Sequence, residues 1–373
     1  ARTTETVSGV MICRFDTGAA VPAGQALAAE RVFLSRAFLD AAERMIAGAG
    51  TAAPADLIHV QDRRMIAPAS AAARTLGVPA LVTLRDPGLL CPIATCLVQQ
   101  ATIPLDCSQG KLWRECGPWY REHYGIAQHR VFHGAGLAYR YRALGQARAA
   151  AERMACVAFV SDGLRRVYVS AGWPPVGVRT AILPSPVDPA PPVSDEVAQQ
   201  LLTSHRLTDK PVVLFVGKPS LGKGWPLFVE VATALRDHAD FVHVGPGNIS
   251  HPGLRDNARI LSIGPVPHET ALAWMRAADL VMVPSPLCDA LPRVALEAQA
   301  QGTLVVGSTR GGIPEAVLCG EVVAPEAQAL IAATQRALAL GRLPMTARLA
   351  VLKAFGPEAT TAKVVACYAG VLQ

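Results

Sequence analysis

Short apolar runs alternate along this chain with longer stretches in which apolar residues recur every three or four positions, and they do so in two series. The first passes through ADLIHVQD (55–62), APASAAARTLG (67–77), VPALVTLRD (78–86), MACVAFVSD (154–162) and VRTAILPSPVD (178–188). The second passes through PVVLFVG (211–217), WPLFVEVATALRDH (225–238), DFVHVG (240–245), ARILSIG (258–264), ETALAWMRAA (269–278), DLVMVPS (279–285), TLVVGS (303–308) and GEVVA (320–324). Helices cover both faces of a parallel sheet, so its strands read as continuous apolar runs. Strand and helix in regular turn therefore predict an α/β chain built on parallel sheets. At the start, VSGVMICRF (7–15) reads as one more buried strand, followed by a helix over Arg31–Ala47.

Between the two series, PSPVDPAPPVSDEV carries five prolines and no apolar periodicity, which marks a linker. A chain of 373 residues also exceeds one ordinary core. The expected organisation is a first domain over 1–188, a linker over 189–210, a second domain over 211–355 and a closing helix over 356–373 that crosses back to the first domain. No apolar run is long enough for a membrane span, and the first residues lack the apolar core of a secretory signal. Nine cysteines, an odd number, fit a reducing cytoplasmic setting better than a disulfide framework. The net charge of +6 suits an anionic substrate or an anionic lipid surface and is too mild to indicate a nucleic-acid partner.

Open parallel sheets keep their ligands beyond the carboxyl ends of the strands. There the first series delivers His59, Arg85 and Asp86. In the second series, Gly217 to Gly224 (GKPSLGKG) has the GxxxxGK spacing of a phosphate loop, but Gly224 stands where a Ser or Thr hydroxyl would hold magnesium. No GxGxxG opens either series, so a dinucleotide fingerprint is missing as well. What remains is Lys218 and Lys223 around a glycine turn, suited to a diphosphate or, equally, to a solvated basic loop. Farther on, PSPLCDALPRVALEAQAQG (284–302) is a loop that becomes helical after Pro292 and stops at Gly302, with Asp289 before the helix and Glu297 inside it. The first turn of such a helix leaves backbone donors unpaired, so the N–H groups around Leu291, Arg293 and Val294 would face an anion.

Taken in order, LFVGK, LGKG, VGPG, SIGPV, DALPRVALE and GGIPE resemble the retaining glycosyltransferases of family 4. The similarity covers residues 55–373 and is most specific from Val212 to Val317. It implies the GT-B fold, which is α/β with two Rossmann-like, doubly wound domains facing a cleft. It also implies metal-independent transfer of a sugar from a nucleotide-diphosphate donor to a glycan or lipid-linked acceptor, without a cofactor, in polysaccharide synthesis. Position by position, Lys218 beside Gly217 stands where the family has arginine and Lys223 matches its lysine; both would neutralise the donor diphosphate. Glu297 would bind ribose hydroxyls and Asp289 the hydroxyls of the transferred sugar, while Leu291, Arg293 and Val294 offer amides to sugar and phosphate. Gly264 to Val266 corresponds to the segment that contacts the base. His59, Arg85 and Asp86 fall on the acceptor side, with Arg85 where many members carry histidine.

No Asp-x-Asp pair occurs, so cationic side chains and a helix dipole take the place of a metal clamp in this reading. The family's opening strand and glycine-rich turn have no counterpart, and about one βα unit reads as missing. The alternative is therefore a noncatalytic or truncated nucleotide-sugar-binding subunit of the same fold. Two features stay open. Cys91, Cys96, Cys107 and Cys116 lie within one stretch but lack paired C-x2-C knuckles, so they suit loop packing or a zinc site. Lys111 to Arg153 carries eight Lys and Arg against three Glu, interleaved with Trp113, Trp119, Tyr120, Tyr124, Tyr139 and Tyr141. That stretch suits a peripheral membrane contact on the inner face or a solvated basic helix.

Overall fold

A computed structural model describes residues 2–15, 35–52, 55–93, 108–123, 129–188, 192–207, 209–247 and 259–373. The chain opens with two strands, β1 (Arg2–Val7) and β2 (Val10–Phe15), paired antiparallel from Arg2 opposite Phe15 to Val7 opposite Val10. The single buried strand expected over 7–15 is thus corrected to a hairpin. Ser8 and Gly9 both take positive φ (50° and 80°), the two-residue turn whose twist matches that of paired strands. Val7, Val10 and Met11 are 51, 63 and 58% exposed, so the hairpin belongs to neither core. The next helix is Arg36–Ala52; residues 31–34 of the expected span lie outside the described residues.

Four parallel strands form the first sheet: β3 (Ile58–Val60), β4 (Ala80–Leu84), β5 (Cys156–Phe159) and β6 (Thr180–Ile182), side by side in that order. Every residue of β4 and β5 is buried, as continuous apolar strands between two helical layers should be. Helix Ile66–Leu76 starts after a turn capped by Asp62, whose carboxylate accepts from Arg64 N, and ends at Gly77 in the left-handed region (φ 69°). The helix Arg130–Glu152 packs against it.

The second sheet holds β7 (Val212–Val216), β8 (Asp240–Val244), β9 (Ile260–Gly264), β10 (Leu280–Val283), β11 (Leu304–Ser308) and β12 (Gly320–Val323). Its order is β12-β11-β10-β7-β8-β9, all parallel. From β7 the chain winds outward to β9, then returns to β10 on the other flank of β7 and winds outward again. The winding reverses between β7 and β10, and the carboxyl ends of strands at such a switch point are where sheets of this kind hold ligands. Apolar clusters pack on both faces, one around Leu214, Val281 and Val305 and the other around Val213, Phe228 and Val306.

Helix Met345–Phe355 stays with the second domain through Val351 and Phe355. Helix Pro357–Leu372 then lies on the first sheet, where Val364, Cys367, Tyr368 and Val371 cover Leu81, Cys156, Ala158 and Leu183. Among the described residues no helix is long and apolar enough to cross a membrane.

Candidate functional site

The loop after β7 owes its shape to two glycines. Gly217 takes φ 130° and Gly224 φ 77°; a Cβ on Gly224 would sit 2.2 Å from the Pro284 carbonyl oxygen at the end of β10. Only glycine meets both demands, so the two loops leaving β7 and β10 run in backbone contact. Lys218 and Lys223 rise from the first of them. Behind it, fully buried His243 of β8 lies between the Gly217 carbonyl (Nε2 to O, 2.9 Å) and the Ser262 hydroxyl (Nδ1 to Oγ, 3.0 Å). Burial holds its pKa below the ordinary histidine value, so the ring is neutral; because a carbonyl can only accept, Nε2 carries the proton and Nδ1 accepts from Ser262.

The second loop ends at helix Arg293–Ala300, whose N-cap is Pro292 and whose first turn has no side-chain cap. Proline offers no acceptor side chain; the Ala295 amide bonds back to the Pro292 carbonyl at 3.1 Å, and the Arg293 and Val294 amides ahead of it are the ones such a helix start offers to an anion. Asp289, before the helix, pairs with Lys223 at 2.6 Å, the lysine 53% exposed and the carboxylate 12%. Glu297, inside the helix and 8% exposed, pairs with Arg293 one turn earlier at 2.9 Å, with His268 Nε2 at 4.0 Å. Thus the structure joins Lys223 to Asp289 and Arg293 to Glu297. Lys218 makes no ion pair among the described residues. Val266, Leu291 and Val294 are half-buried, with their side chains packed against the apolar core. Gly264 (φ 82°) ends β9, and its carbonyl accepts from Gly245 N at 2.9 Å.

On the first domain the three singled-out residues part company. His59 lies on the face covered by the last helix, with Nδ1 2.7 Å from the Tyr368 hydroxyl and Nε2 2.7 Å from the Thr83 hydroxyl. Burial, then the charge of Arg85, pushes its pKa below the usual value, so both of its nitrogens serve the fold as those of a neutral ring. Arg85 stands at the strand end, bonded to Gln61 Oε1 at 2.7 Å and Ser185 Oγ at 2.8 Å. Asp86 folds back to accept from Gly88 N at 2.7 Å. Cys91 is a core residue and Cys116 packs beside it; Cys96 and Cys107 lie outside the described residues, among which no three His, Cys, Asp or Glu side chains converge as a metal group would. Of the basic stretch, Arg140 is buried, Trp113 and Tyr139 are exposed, and Tyr124 lies outside the described residues.

Sequence reasoning missed the contact that joins the domains. Helix Asp162–Ser170 of the first domain points its N-terminus at the GGIPE loop of the second. The Glu315 carboxylate accepts from Asp162 N at 2.9 Å and from Gly163 N, an acid at a helix N-terminus as capping requires but supplied by the other domain. The Ser161 hydroxyl donates to the Ala290 carbonyl, and Ala290 itself packs in the core cluster of the first domain. A Cβ on Gly163 would meet the Gly311 carbonyl oxygen at 1.9 Å, and one on Gly312 the Ala290 carbonyl oxygen at 2.0 Å. The SDG at 161–163 is a recognisable helix start, yet no local pattern says that its cap comes from residue 315.

Residues 210–339 match the family described as Glycosyl transferases group 1. The chain is 33% identical over 158 residues to a D-inositol 3-phosphate glycosyltransferase of Xylanimonas cellulosilytica, covering 38% of this chain and 37% of that protein. With a protein of the same description from Mycobacterium bovis it is 37% identical over 122 residues, 30% of this chain and 25% of the other. The matches thus span about a third or less of these curated relatives. Solved structures share the fold across nearly the whole chain: a sucrose-phosphate synthase from Thermosynechococcus elongatus (TM-score 0.65, 21% identity, 98% of this chain and 84% of that one) and a UDP-forming α,α-trehalose-phosphate synthase from Burkholderia vietnamiensis (TM-score 0.64, 16% identity, 100% and 88%). Anabaena Alr3699/HepE in complex with UDP-glucose follows (TM-score 0.60, 17% identity, 88% and 81%). Two parallel sheets with helices on both faces, shared with these solved structures, give the chain the α/β GT-B fold, and its second sheet lies within the region, residues 210–339, that matches Glycosyl transferases group 1.

Proposed function

We propose that the chain transfers a hexosyl group from a nucleoside-diphosphate sugar to a hydroxyl of an acceptor held at the carboxyl edge of the first sheet, with retention at the anomeric carbon. The observation that carries this reading is the Lys223–Asp289 pair, which joins the loop after β7, where Lys218 also lies, to the loop after β10, which leads into the uncapped helix holding buried Glu297. The diphosphate takes Lys218, Lys223 and the amides of the 293–300 helix. Lys223 thereby exchanges one anion for another and frees Asp289 for the hydroxyls of the sugar. Glu297, buried and oriented by Arg293, accepts from the ribose hydroxyls.

As the bond between the anomeric carbon and the phosphate oxygen breaks, negative charge grows on the diphosphate, where the two lysines and the helix dipole already point. The acceptor oxygen bonds to the same face of that carbon, and its proton passes to the departing phosphate oxygen. No side-chain base is needed in this scheme, in keeping with an arginine rather than a histidine at position 85. The absence of an Asp-x-Asp pair from the sequence supports cationic side chains over a metal clamp. UDP-glucose, the ligand of one structural neighbour, is the first donor to try.

Calorimetric titration of UDP and UDP-glucose into the chain, together with an assay of UDP release in the presence of acceptor candidates, tests the reading. Binding with release supports transfer. Binding without release under any acceptor leaves a nucleotide-sugar-binding subunit, and failure of every nucleotide sugar in a panel to bind removes the proposal.

A further inference from the structure

At the carboxyl edge of β3 and β4, a polar cavity of about 240 Å³ is lined by Gln61, Asp62, Arg63, Arg64, Arg85 and Asp86, with Thr83 and Leu84 at its floor. Its lining thus holds three arginines and two aspartates. Asp62 is committed to Arg64 (Oδ1 to Nε, 2.9 Å), and the same carboxylate caps the following turn. Asp86 is committed to Gly88 N, and Arg63 donates to the Gly88 carbonyl at 3.0 Å.

Arg85 differs from Arg64, which is paired with Asp62, because its bonds go to neutral oxygens. Nε and one terminal nitrogen reach Gln61 Oε1 at 3.3 and 2.7 Å, and the other terminal nitrogen reaches Ser185 Oγ at 2.8 Å. A guanidinium carries five N–H groups, so these contacts hold its plane and leave one donor on each terminal nitrogen. Such a fork fits two oxygens of one anion. Gln61 is in turn held by His59, and Ser185 lies on the strand-to-linker stretch after β6, so the fork is fixed from two sides.

We propose that this cavity is an anion subsite, with Arg85 as its receptor, and that the acceptor carries a phosphoryl or carboxylate group. The identification of the bound molecule as the acceptor rests on the transfer reading above; the anion site does not. Burial, and then the charge of Arg293, holds the pKa of Arg85 below the usual arginine value. The charge balance agrees: three arginines against two aspartates leave the lining with one positive charge in excess, and the hydrogen bonds of Arg85 go to neutral oxygens.

The test uses the whole chain carrying Lys218→Ala and Lys223→Ala, so that the cations of the second domain cannot supply the signal. Inorganic phosphate is titrated calorimetrically, at fixed ionic strength, into this parent and into the same chain with Arg85→Gln or Arg85→Lys. Acetate and uncharged myo-inositol form the other arms. Phosphate should bind the parent, weaken about tenfold or more with Arg85→Gln and recover in part with Arg85→Lys, while inositol gives no heat. Acetate matching phosphate identifies a carboxylate as sufficient, and phosphate alone identifies a phosphoryl group; either supports the site. No phosphate binding to the parent, or equal binding by parent and Arg85→Gln at unchanged melting temperatures, overturns it. Donor binding is measured on the chain with both lysines intact, so its failure is separate from this one.

Discussion

Replacing Gly163 with alanine sets two effects of opposite sign against each other. Gly163 is inside helix Asp162–Ser170 and outside the left-handed region, so on the helix alone alanine would stabilise by about 1 kcal/mol. The structure demands the reverse. The new Cβ would sit 1.9 Å from the Gly311 carbonyl oxygen, and ordinary contact begins near 3.4 Å, so one surface must retreat by about 1.5 Å. Both neighbours are backbone, which cannot rotate away. The retreat breaks two charge-assisted bonds to Glu315, worth at least ~1.5 kcal/mol each, and the Ser161 to Ala290 bond, worth ~1 kcal/mol. The low end of these ranges gives ~4 kcal/mol, and after the helical gain the net loss is about 3 kcal/mol. Urea unfolding of both proteins, with hydrogen exchange of residues 161–165 and 310–316, measures it. Glu315→Gln, which removes the charge without the clash, should cost ~1–2 kcal/mol, and the double variant little more than Gly163→Ala alone, because both act on one contact. A Gly163→Ala protein as stable as wild type, or more stable, would refute the domain contact described above.

Glu297→Ala should weaken UDP-glucose binding by about tenfold, because it removes a buried carboxylate and leaves Arg293 without its partner; unchanged affinity means that the donor does not reach this acid. Asp289→Asn should leave UDP affinity equal or a few-fold tighter, since Lys223 is released, while turnover of the sugar donor collapses; weaker UDP binding by calorimetry would contradict the exchange of partners. Stability should fall as pH drops below about 6.5, because the folded-state pKa values of His59, His133 and His243 are all lowered by burial and only the unfolded chain takes up protons there. Asp62 and Glu321 are lowered too, but their contribution is lost only at more acid pH, below about 4.5, so a urea midpoint that rises between pH 6.5 and 5.5 counts against buried neutral histidines. Burial pushes the Cys156 and Cys288 thiols up to about 12, so mass spectrometry after brief alkylation at pH 8 should find both unmodified in the folded chain.

The sequence made the elements and the order of the donor motifs legible because both depend on local spacing. Fully buried β4 and β5 announce themselves as ALVTL and CVAF, and Gly217, Gly224 and the 293–300 helix stand where the motif order predicts them. The hairpin at 2–15 went unread because Ser-Gly is a turn in one setting and part of an apolar run in another, and the choice depends on whether a sheet is at hand to pair with. The contact of His59 with Tyr368 was not legible: successive strand residues point to opposite faces, and three residues of β3 are too few to show which face the last helix would cover. The partner of Arg85 is a hundred residues away on the linker side, and the cap of helix 162–170 comes from another domain; neither distance leaves a trace in local pattern.

The segment 288–291 shows why the proposed donor site and the domain contact belong to one device. Asp289 turns its carboxylate to Lys223 while its backbone carbonyl accepts from Gly312 N at 2.8 Å. The next residue, Ala290, gives its carbonyl to Ser161 and its methyl group to the core of the first domain, and Leu291 packs against both cores. Three consecutive residues thus meet the donor side, the other domain and the helix that follows. A close-packed junction of this kind responds as a unit, since a shift of one backbone carbonyl by a few tenths of an ångström is felt by atoms already at contact. Under the proposed donor reading a diphosphate would draw Lys223 away from Asp289, whose covalent neighbour Ala290 is docked on the first domain. That reading therefore predicts that donor occupancy and domain contact are coupled through covalent neighbours, on a facing loop whose spacing admits only glycine at Gly311 and Gly312.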